Sequence, residues 1–245
     1  MKSVLITGAN KGIGLETAKQ LLQKGLFVYL GTRDIKKAND AVKTLRENGF
    51  INIKAIVIDV TRPDTIASAK TTIEEETGQL DILINNAGIS GNIPQNARET
   101  SVETYHEVMD VNLYGVVRVT QALLPLLQKS QEPRIVNVST SVGSLTLQSD
   151  ARWPAYDYAK YAFYAASKAA MNMYTVHLAY EMRNTPFKIN AVCPGYTKTD
   201  FTNYQGGEVS TAAERIIKYA LIGPDGPTGK FFSEETNPVA GEIPW

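Results

Sequence analysis

Short apolar runs alternate with longer amphipathic segments along the whole chain of 245 residues. The short runs are rich in Val, Ile and Leu and lack strict alternation with polar residues, which is typical of strands buried on both faces of a parallel sheet. The longer segments carry helix signals, such as Gly25 after the first and Asp34 before the second. We predict strands at residues 4–6, 26–30, 53–58, 80–84, 135–138 and 189–192, and helices at residues 14–24, 35–47, 63–77, 102–127 and 165–183.

This alternation predicts an α/β fold, a single-domain Rossmann-type doubly wound parallel sheet with right-handed crossovers. The length suits one domain over residues 1–245, with a longer insert at about 144–163 and a polar substrate lid at about 200–210. Ligands of such sheets bind beyond the carboxyl ends of the strands, where the strand order reverses. The segments that follow the predicted strands are therefore the candidate functional segments.

Composition excludes several classes of function. The 25 basic and 25 acidic side chains cancel, so no charge pattern favours a nucleic-acid partner. The chain has only one cysteine, Cys193, and two histidines, which are the ligands that zinc prefers. We therefore do not expect a metal centre. No apolar run is long enough to span a membrane, and the N-terminal apolar run is too short for a signal peptide. We expect a cytoplasmic protein that binds a small molecule.

Three glycines follow the first predicted strand. Gly8 permits a tight turn, Gly12 lets the backbone approach a pyrophosphate, and Gly14 lets the next helix pack closely with its N-terminus toward the phosphates. A glycine-rich turn between a strand and a helix can also exist without a ligand. Its position after the first strand favours a dinucleotide site.

Further motifs appear in a fixed order along the chain. They are Thr7-Gly8-x-x-x-Gly12-x-Gly14, Asn85-Asn86-Ala87-Gly88, Asn112 within residues 110–115, Tyr164-x-x-x-Lys168 and Pro194-Gly195. In this order they resemble the short-chain dehydrogenase/reductase family, and they cover nearly the whole chain. The pair Asn10-Lys11 and the long segment before Tyr164 resemble the carbonyl-reductase branch of that family.

The resemblance implies that Tyr164 and Lys168 are catalytic. Residues four apart share a helix face, and a nearby ammonium is expected to lower the phenol pKa from its usual value of about 10. Tyr156 and Lys160 also satisfy the Tyr-x-x-x-Lys spacing, but they follow Pro154 in a segment without helical periodicity. We therefore predict that Tyr164, and not Tyr156, is the proton donor.

The third catalytic position is a hydroxyl three residues before Gly143, by resemblance, and this position is Thr140. A shift of one residue would substitute Ser139 or Ser141, so these alternatives stay open. Asn112, by resemblance, holds the water of a proton relay through its helix backbone. The predicted catalytic set is Asn112, Thr140, Ser141, Tyr164 and Lys168.

The segment after the second strand indicates which cofactor is preferred. Thr32 stands where NAD-specific members carry an acid, and Arg33 with Lys11 could clamp a 2′-phosphate. Asp34 is expected to cap the next helix, although a shift of one residue would make it a ribose ligand. NADP(H) is therefore favoured, with NAD(H) open. The predicted cofactor contacts are Gly8, Asn10, Lys11, Gly12, Ile13, Gly14, Arg33, Asp59, Val60, Asn86, Ala87, Gly88, Tyr164, Lys168, Pro194, Gly195, Thr197 and Thr199.

Together these residues predict an oxidoreductase that transfers a hydride between NADP(H) and a ketone or aldehyde and its alcohol. The alternatives are a non-catalytic NADP-binding redox sensor and an NADH-preferring alcohol dehydrogenase of the same fold. The resemblance also implies a homodimer or tetramer through residues 102–127 and 165–183, unless the insert covers them. Eight aromatic residues could line a pocket for a bulky or aryl ketone: Trp153, Tyr156, Tyr158, Tyr161, Phe163, Tyr196, Phe201 and Tyr204.

Overall fold

Seven strands form one sheet in the computed structural model, which describes residues 1–157 and 159–245. Tyr158, one of the candidate pocket aromatics, lies outside the described residues. The strands are β1 Ser3–Thr7, β2 Phe27–Thr32, β3 Ile53–Val57, β4 Ile82–Asn85, β5 Arg134–Val138, β6 Lys188–Val192 and β7 Phe231–Phe232. The helices are α1 Gly12–Gln23, α2 Ile35–Glu47, α3 Pro63–Thr77, α4 Val102–Met109, α5 Gly115–Leu127, α6 Leu145–Ser149, α7 Ala162–Glu181 and α8 Val209–Ala220.

The strand order is β3-β2-β1-β4-β5-β6-β7, and every neighbouring pair is parallel. Val4 of β1 pairs with Val28 on one side and with Ile82 on the other. The order therefore reverses between β1 and β4, which creates a crevice above their carboxyl ends. This confirms the predicted single-domain, doubly wound fold.

Helices cover both faces of the sheet. Residues of α1, α2 and α8, among them Leu21 and Ile216, form one apolar core with the strands. Residues of α3, α5 and α7, among them Ile73 and Leu123, form the other core. Because both faces are covered, the strands need apolar side chains in both directions, and this accounts for their lack of strict alternation.

Three elements were not predicted from the sequence. β7 has only two residues, too few to show a periodic pattern. α6 has five residues and buries none of them. α8 packs on α1 and buries small residues, Ala212, Ala213 and Ala220, beside Ile216 and Ile217.

The segment 102–127, predicted as one helix, contains an irregular turn. A π-helical turn at Asp110–Tyr114 separates α4 from α5. Such turns widen the helix by one residue and are frequent at functional sites. Within the described part of the chain, no helix combines the length and the apolar character that a membrane span requires.

Candidate active site

Hydrogen bonds fasten the glycine loop to the end of β4. The Asn86 side-chain amide donates to the carbonyl oxygens of Thr7 and Gly8, at 2.9 and 3.1 Å. The Thr7 hydroxyl accepts from the backbone amides of Asn86 and Ala87, both at 3.0 Å. A Cβ on Gly14 would lie 2.6 Å from the Asn86 amide nitrogen, so a side chain there would break this junction.

The loop leaves room for a dinucleotide at the start of α1. Gly8 and Gly12 have φ angles of 65° and 54°, the left-handed region that glycine adopts without strain. Lys11, at the N-cap, makes no side-chain cap, so no side chain of the N-cap competes for the amides of the first turn. Amides in this position bind phosphate. The residues present therefore fit the pyrophosphate of a nicotinamide dinucleotide.

A cavity of about 390 Å³ lies between the glycine loop, the segment after β4 and the predicted lid. Lys11, Gly88, Ser90 and Phe201 are among its lining residues. A Cβ on Gly88 would lie 3.2 Å from the Asn112 side-chain oxygen and 3.6 Å from the Lys168 ammonium. The absence of a side chain at Gly88 thus keeps the cavity open toward both predicted catalytic residues.

The end of β2 supplies an exposed cation. Arg33 is exposed and forms no ion pair with any residue in 1–157 or 159–245. The Asp34 carboxylate accepts from the amides of Lys36 and Lys37, at 3.0 and 3.2 Å. This confirms that Asp34 caps α2.

The two residues predicted as adenine contacts lie after β3. One carboxylate oxygen of Asp59 accepts from the amide and the hydroxyl of Thr61, at 3.0 and 2.7 Å. Val60 is buried and packs against Gly115, where α5 begins. Asp59 is half-buried.

Lys11 forms an ion pair with Asp200. Both side chains are exposed, with exposed fractions of 65% and 45%. The pair joins the glycine loop to the lid across the mouth of the cavity. Asn10 and Ile13, on either side of Lys11 and Gly12, are half-buried.

Tyr164 and Lys168 lie one turn apart at the start of α7. The Lys168 ammonium is buried and donates to the carbonyl oxygen of Val138, at the end of β5, at 2.7 Å. The Tyr164 ring packs against Phe201, with 5.6 Å between the ring centroids. Tyr156 and Lys160 instead lie in the insert before α7, with the Lys160 ammonium 3.7 Å from the Tyr156 ring centroid.

Burial is the largest influence on the pKa values of Tyr164 and Lys168. It lowers the pKa of Lys168 to about 8. It also raises the pKa of Tyr164, with a smaller contribution from Cys193, because the phenolate loses hydration. The prediction of a lowered Tyr164 pKa is therefore wrong for this structure, in which burial sets the direction of the shift. Tyr164 keeps its proton at neutral pH, which is the form that a proton donor requires.

Asn112 connects the segment after β4 to α7. It is fully buried in the π-helical turn, where its side chain bonds both the amide and the carbonyl of Ile89, each at 2.9 Å. It also donates to the Ser167 hydroxyl at 3.0 Å, and Ser167 donates to the Tyr164 carbonyl at 2.8 Å. Ser167 was not predicted, although its place directly before Lys168 was a usable signal.

The three candidate hydroxyls after β5 differ in their partners. Ser139 is buried and donates to the Asn172 side chain of α7 at 2.7 Å, so it is already engaged. Thr140 is half-buried, and its hydroxyl accepts only a long bond of 3.3 Å from the Val142 amide. Ser141 is buried at the start of the 3₁₀ turn Ser141–Gly143. Thr140 and Ser141 therefore remain the candidates.

The segment after β6 is held by two residues that sequence reasoning missed. Arg215 of α8 donates to the carbonyl of Pro194 at 2.7 Å, and Glu235 accepts from the Tyr196 amide at 3.1 Å. Gly195 lies between them with a φ of 93°, and a Cβ there would lie 2.3 Å from the Arg215 guanidinium. Arg215 and Glu235 lie far along the chain from the residues they bond, so no local sequence pattern indicates them.

The predicted lid is an internally bonded loop. Its base is closed by bonds from the Gly207 amide to the Tyr196 carbonyl, at 2.8 Å, and from the Lys198 amide to the Gly207 carbonyl, at 2.9 Å. The Thr202 hydroxyl donates to the carbonyl of Thr197 at 2.5 Å. Thr197 and Thr199 are buried, and the last two residues of the predicted lid belong to α8.

The candidate pocket aromatics take different positions. Among those in the described residues, Phe201 alone lines the cavity. Phe163 packs against Tyr105 of α4, with 4.9 Å between the ring centroids. Tyr196, just before the lid, and Tyr204, on the lid, are exposed. The composition of the insert thus gave no reliable guide to the pocket wall.

Residues 2–209 match the short chain dehydrogenase family. The chain belongs to this family. Short-chain dehydrogenases are oxidoreductases that bind NAD(P)(H), and this establishes the predicted family and class of enzyme. The resemblance to the carbonyl-reductase branch is also supported, because a carbonyl reductase and other reductases are among the relatives.

Three of these relatives illustrate the similarity. The (+)-neomenthol dehydrogenase of Capsicum annuum is 34% identical, over 93% of this chain and 94% of the relative. The structure of salutaridine reductase from Papaver somniferum has a TM-score of 0.83 at 31% identity, and the match covers 95% of this chain and all of that one. The NADPH-bound carbonyl reductase from chicken fatty liver has a TM-score of 0.85 at 27% identity, over 100% and 99% of the two chains.

Proposed function

We propose that this short-chain dehydrogenase reduces a ketone or aldehyde to an alcohol with NADPH. One observation carries the proposal: Tyr164 lies at the start of α7 against Phe201, which lines the cavity, and Lys168 lies one turn further along the helix. A protonated phenol in this position can donate to the oxygen of a bound carbonyl. A dinucleotide-binding redox sensor would not need this pair.

The residues divide the chemistry between them. When bound, the nicotinamide supplies the hydride that the carbonyl carbon receives. Tyr164 gives its proton to the carbonyl oxygen, and Thr140 or Ser141 donates a hydrogen bond that orients this oxygen. Lys168 stabilises the phenolate that remains, and Asn112 holds the backbone through which a water returns the proton.

The preference for NADPH is supported by the exposed guanidinium of Arg33. The Asp34 carboxylate caps α2 through one of its oxygens, and this favours a role in the helix over a role as the ribose ligand. A guanidinium can bind the 2′-phosphate of NADPH through two hydrogen bonds. One structural relative is described as NADPH-bound and another as complexed with NADH, so support for the preference comes from Arg33.

Exposed aromatic residues on the lid and just before it support a bulky, apolar carbonyl as substrate. Tyr196, Phe201 and Tyr204 have exposed fractions of 56%, 45% and 70%. Large apolar side chains at the edge of a cavity gain free energy when a ligand covers them. The relatives include enzymes named for neomenthol and salutaridine, which is compatible with a substrate of this class.

Steady-state oxidation of NADPH, followed by absorbance, tests the proposal with aliphatic, aryl and steroid-sized ketones and aldehydes. We expect turnover with at least one bulky carbonyl and a lower KM for NADPH than for NADH. Tight NADPH binding without turnover of any carbonyl would favour the redox sensor. A lower KM for NADH would favour the NADH-preferring alcohol dehydrogenase.

We also propose that the chain forms a homodimer or tetramer through α4, α5 and α7. These helices expose Val102, Met173 and Tyr180, with exposed fractions of 59%, 58% and 63%. The insert packs mainly on the 3₁₀ turn and on the backbone of Trp245, and its last residue, Phe163, packs against Tyr105 of α4. Light scattering at micromolar concentration checks this, since a mass near 26.9 kDa would mean a monomer. The cytoplasmic location stays a prediction.

A further inference from the structure

Gln95 caps the catalytic helix from outside that helix. Its side-chain oxygen accepts from the backbone amides of Phe163 and Tyr164, at 3.1 and 3.0 Å. Tyr161, the N-cap residue of α7, makes no side-chain cap of its own. The first amides of a helix have no partner within the helix, so a residue 69 positions upstream supplies one here.

The other end of the same amide holds the cavity wall. The Gln95 nitrogen donates to the carbonyl oxygen of Ser90 at 2.6 Å, and Ser90 lines the cavity. Gln95 itself is only 4% exposed. A Cβ on Gly91 would lie 3.0 Å from the Gln95 nitrogen, so the segment closes tightly around this side chain.

Both hydrogen-bonding groups of the amide are therefore used, one on the start of α7 and one on the cavity wall at Ser90. Asp, Asn, Ser and Thr are the usual caps, and each would sit on the chain directly before the helix. A cap on a separate segment fixes the helix start relative to that segment. Here it fixes the backbone of Tyr164 relative to the wall that a substrate must contact.

We propose that Gln95 is a positioning residue for Tyr164. This inference rests on the proposed function. By holding the Tyr164 amide and the Ser90 carbonyl, it sets the distance between the proton donor and the cavity wall. Displacement of a reacting group by about 1 Å can reduce a rate up to roughly a hundredfold. Gln95 acts without touching the substrate.

Two variants separate the two hydrogen-bonded ends. Gln95→Met keeps the length of the side chain and loses both ends. Gln95→Glu keeps an acceptor for the two helix amides and loses the donor to Ser90. Gln79→Met is the matched control, because Gln79 bonds Asp81 at 3.0 Å before β4, at the opposite end of the sheet.

The first measurement separates kcat from KM in the reduction of a carbonyl. We expect Gln95→Met to lower kcat about ten- to a hundredfold, with the KM for NADPH changed by less than about twofold. Gln95→Glu should recover only part of this kcat, because it keeps the cap on α7 but loses the bond to the Ser90 carbonyl. Gln79→Met should lower the melting temperature but leave kcat unchanged. A Gln95→Met enzyme with the kcat of the wild type would overturn the proposal.

The second measurement does not depend on activity. Hydrogen exchange of the backbone amides, followed by NMR, should show faster exchange at Phe163 and Tyr164 in Gln95→Met. Exchange at these amides should stay slow in Gln95→Glu and in Gln79→Met. Unchanged exchange in Gln95→Met would contradict the cap. If the wild-type enzyme reduces no carbonyl, the proposed function fails, and the exchange result still decides whether Gln95 holds the helix.

Discussion

The buried and the exposed sides of the active-site cleft are built in different ways. On the buried side, Asn112, Ser167 and Lys168 are at most 4% exposed, and each bonds a residue of another segment or turn. On the exposed side, Arg33 and Phe201 lie open to solvent, and the lid bonds mainly within itself. The buried side can therefore hold reacting groups in fixed positions, and the exposed side can select the ligand.

Substitution of Tyr164, the proposed proton donor, is expected to have the largest effect. Tyr164→Phe should lower kcat about 10²- to 10⁴-fold, because it removes the general acid and little else. NADPH binding, measured by fluorescence titration, should stay nearly unchanged. Tyr156→Phe is the control and should keep most activity. If the Tyr156 variant is the inactive one, the catalytic assignment is wrong.

Substitution of Arg33 should weaken the selection of NADPH over NADH and leave the rate of reduction almost unchanged. Arg33→Ala should raise the KM for NADPH about ten- to a hundredfold, because it removes a charge-assisted contact. The KM for NADH and the kcat should change little. Initial rates over a range of both cofactors measure this, and an equal loss for the two would contradict the assignment.

The pH profile tests the buried side through Lys168. Burial lowers the pKa of this ammonium to about 8, while Tyr164 titrates above its usual value. Lys168 is charged below its pKa and neutral above it. Because only the charged form stabilises the phenolate that Tyr164 leaves, kcat/KM for NADPH should fall roughly tenfold per pH unit above that pKa. Tyr164 keeps its proton through this range. A profile that stays flat to pH 10 would contradict this role for Lys168.

Truncation on the lid should have the smallest effect. Phe201→Ala should raise the KM for a bulky ketone about three- to tenfold, because a partly exposed ring contributes little apolar burial. The KM for a small aliphatic ketone should stay unchanged, which serves as the control. The free energy of unfolding should change by less than about 0.5 kcal/mol in urea titration. A larger loss of stability in Phe201→Ala would show that Phe201 holds the fold together as the residues of the buried side do, and would contradict the division into two sides.

The order of short apolar runs and amphipathic segments was sufficient to predict the doubly wound sheet, because strands buried on both faces need continuous apolar runs. The motif spacing also predicted which segments meet, since parallel strands bring their carboxyl ends to one edge. Thr7 and Asn86 are 79 positions apart and bond directly. These features depend on local pattern and on chain order.

Only the tertiary structure decided how the site residues are held. Gln95, Arg215 and Glu235 bond backbone far away in the sequence, and no local pattern reveals such partners. The pKa of Tyr164 also follows from burial, which cannot be calculated from its spacing to Lys168. The sequence by itself thus determined the fold and the list of reactive groups. Their desolvation and their long-range hydrogen bonds depend on which segments pack together in three dimensions.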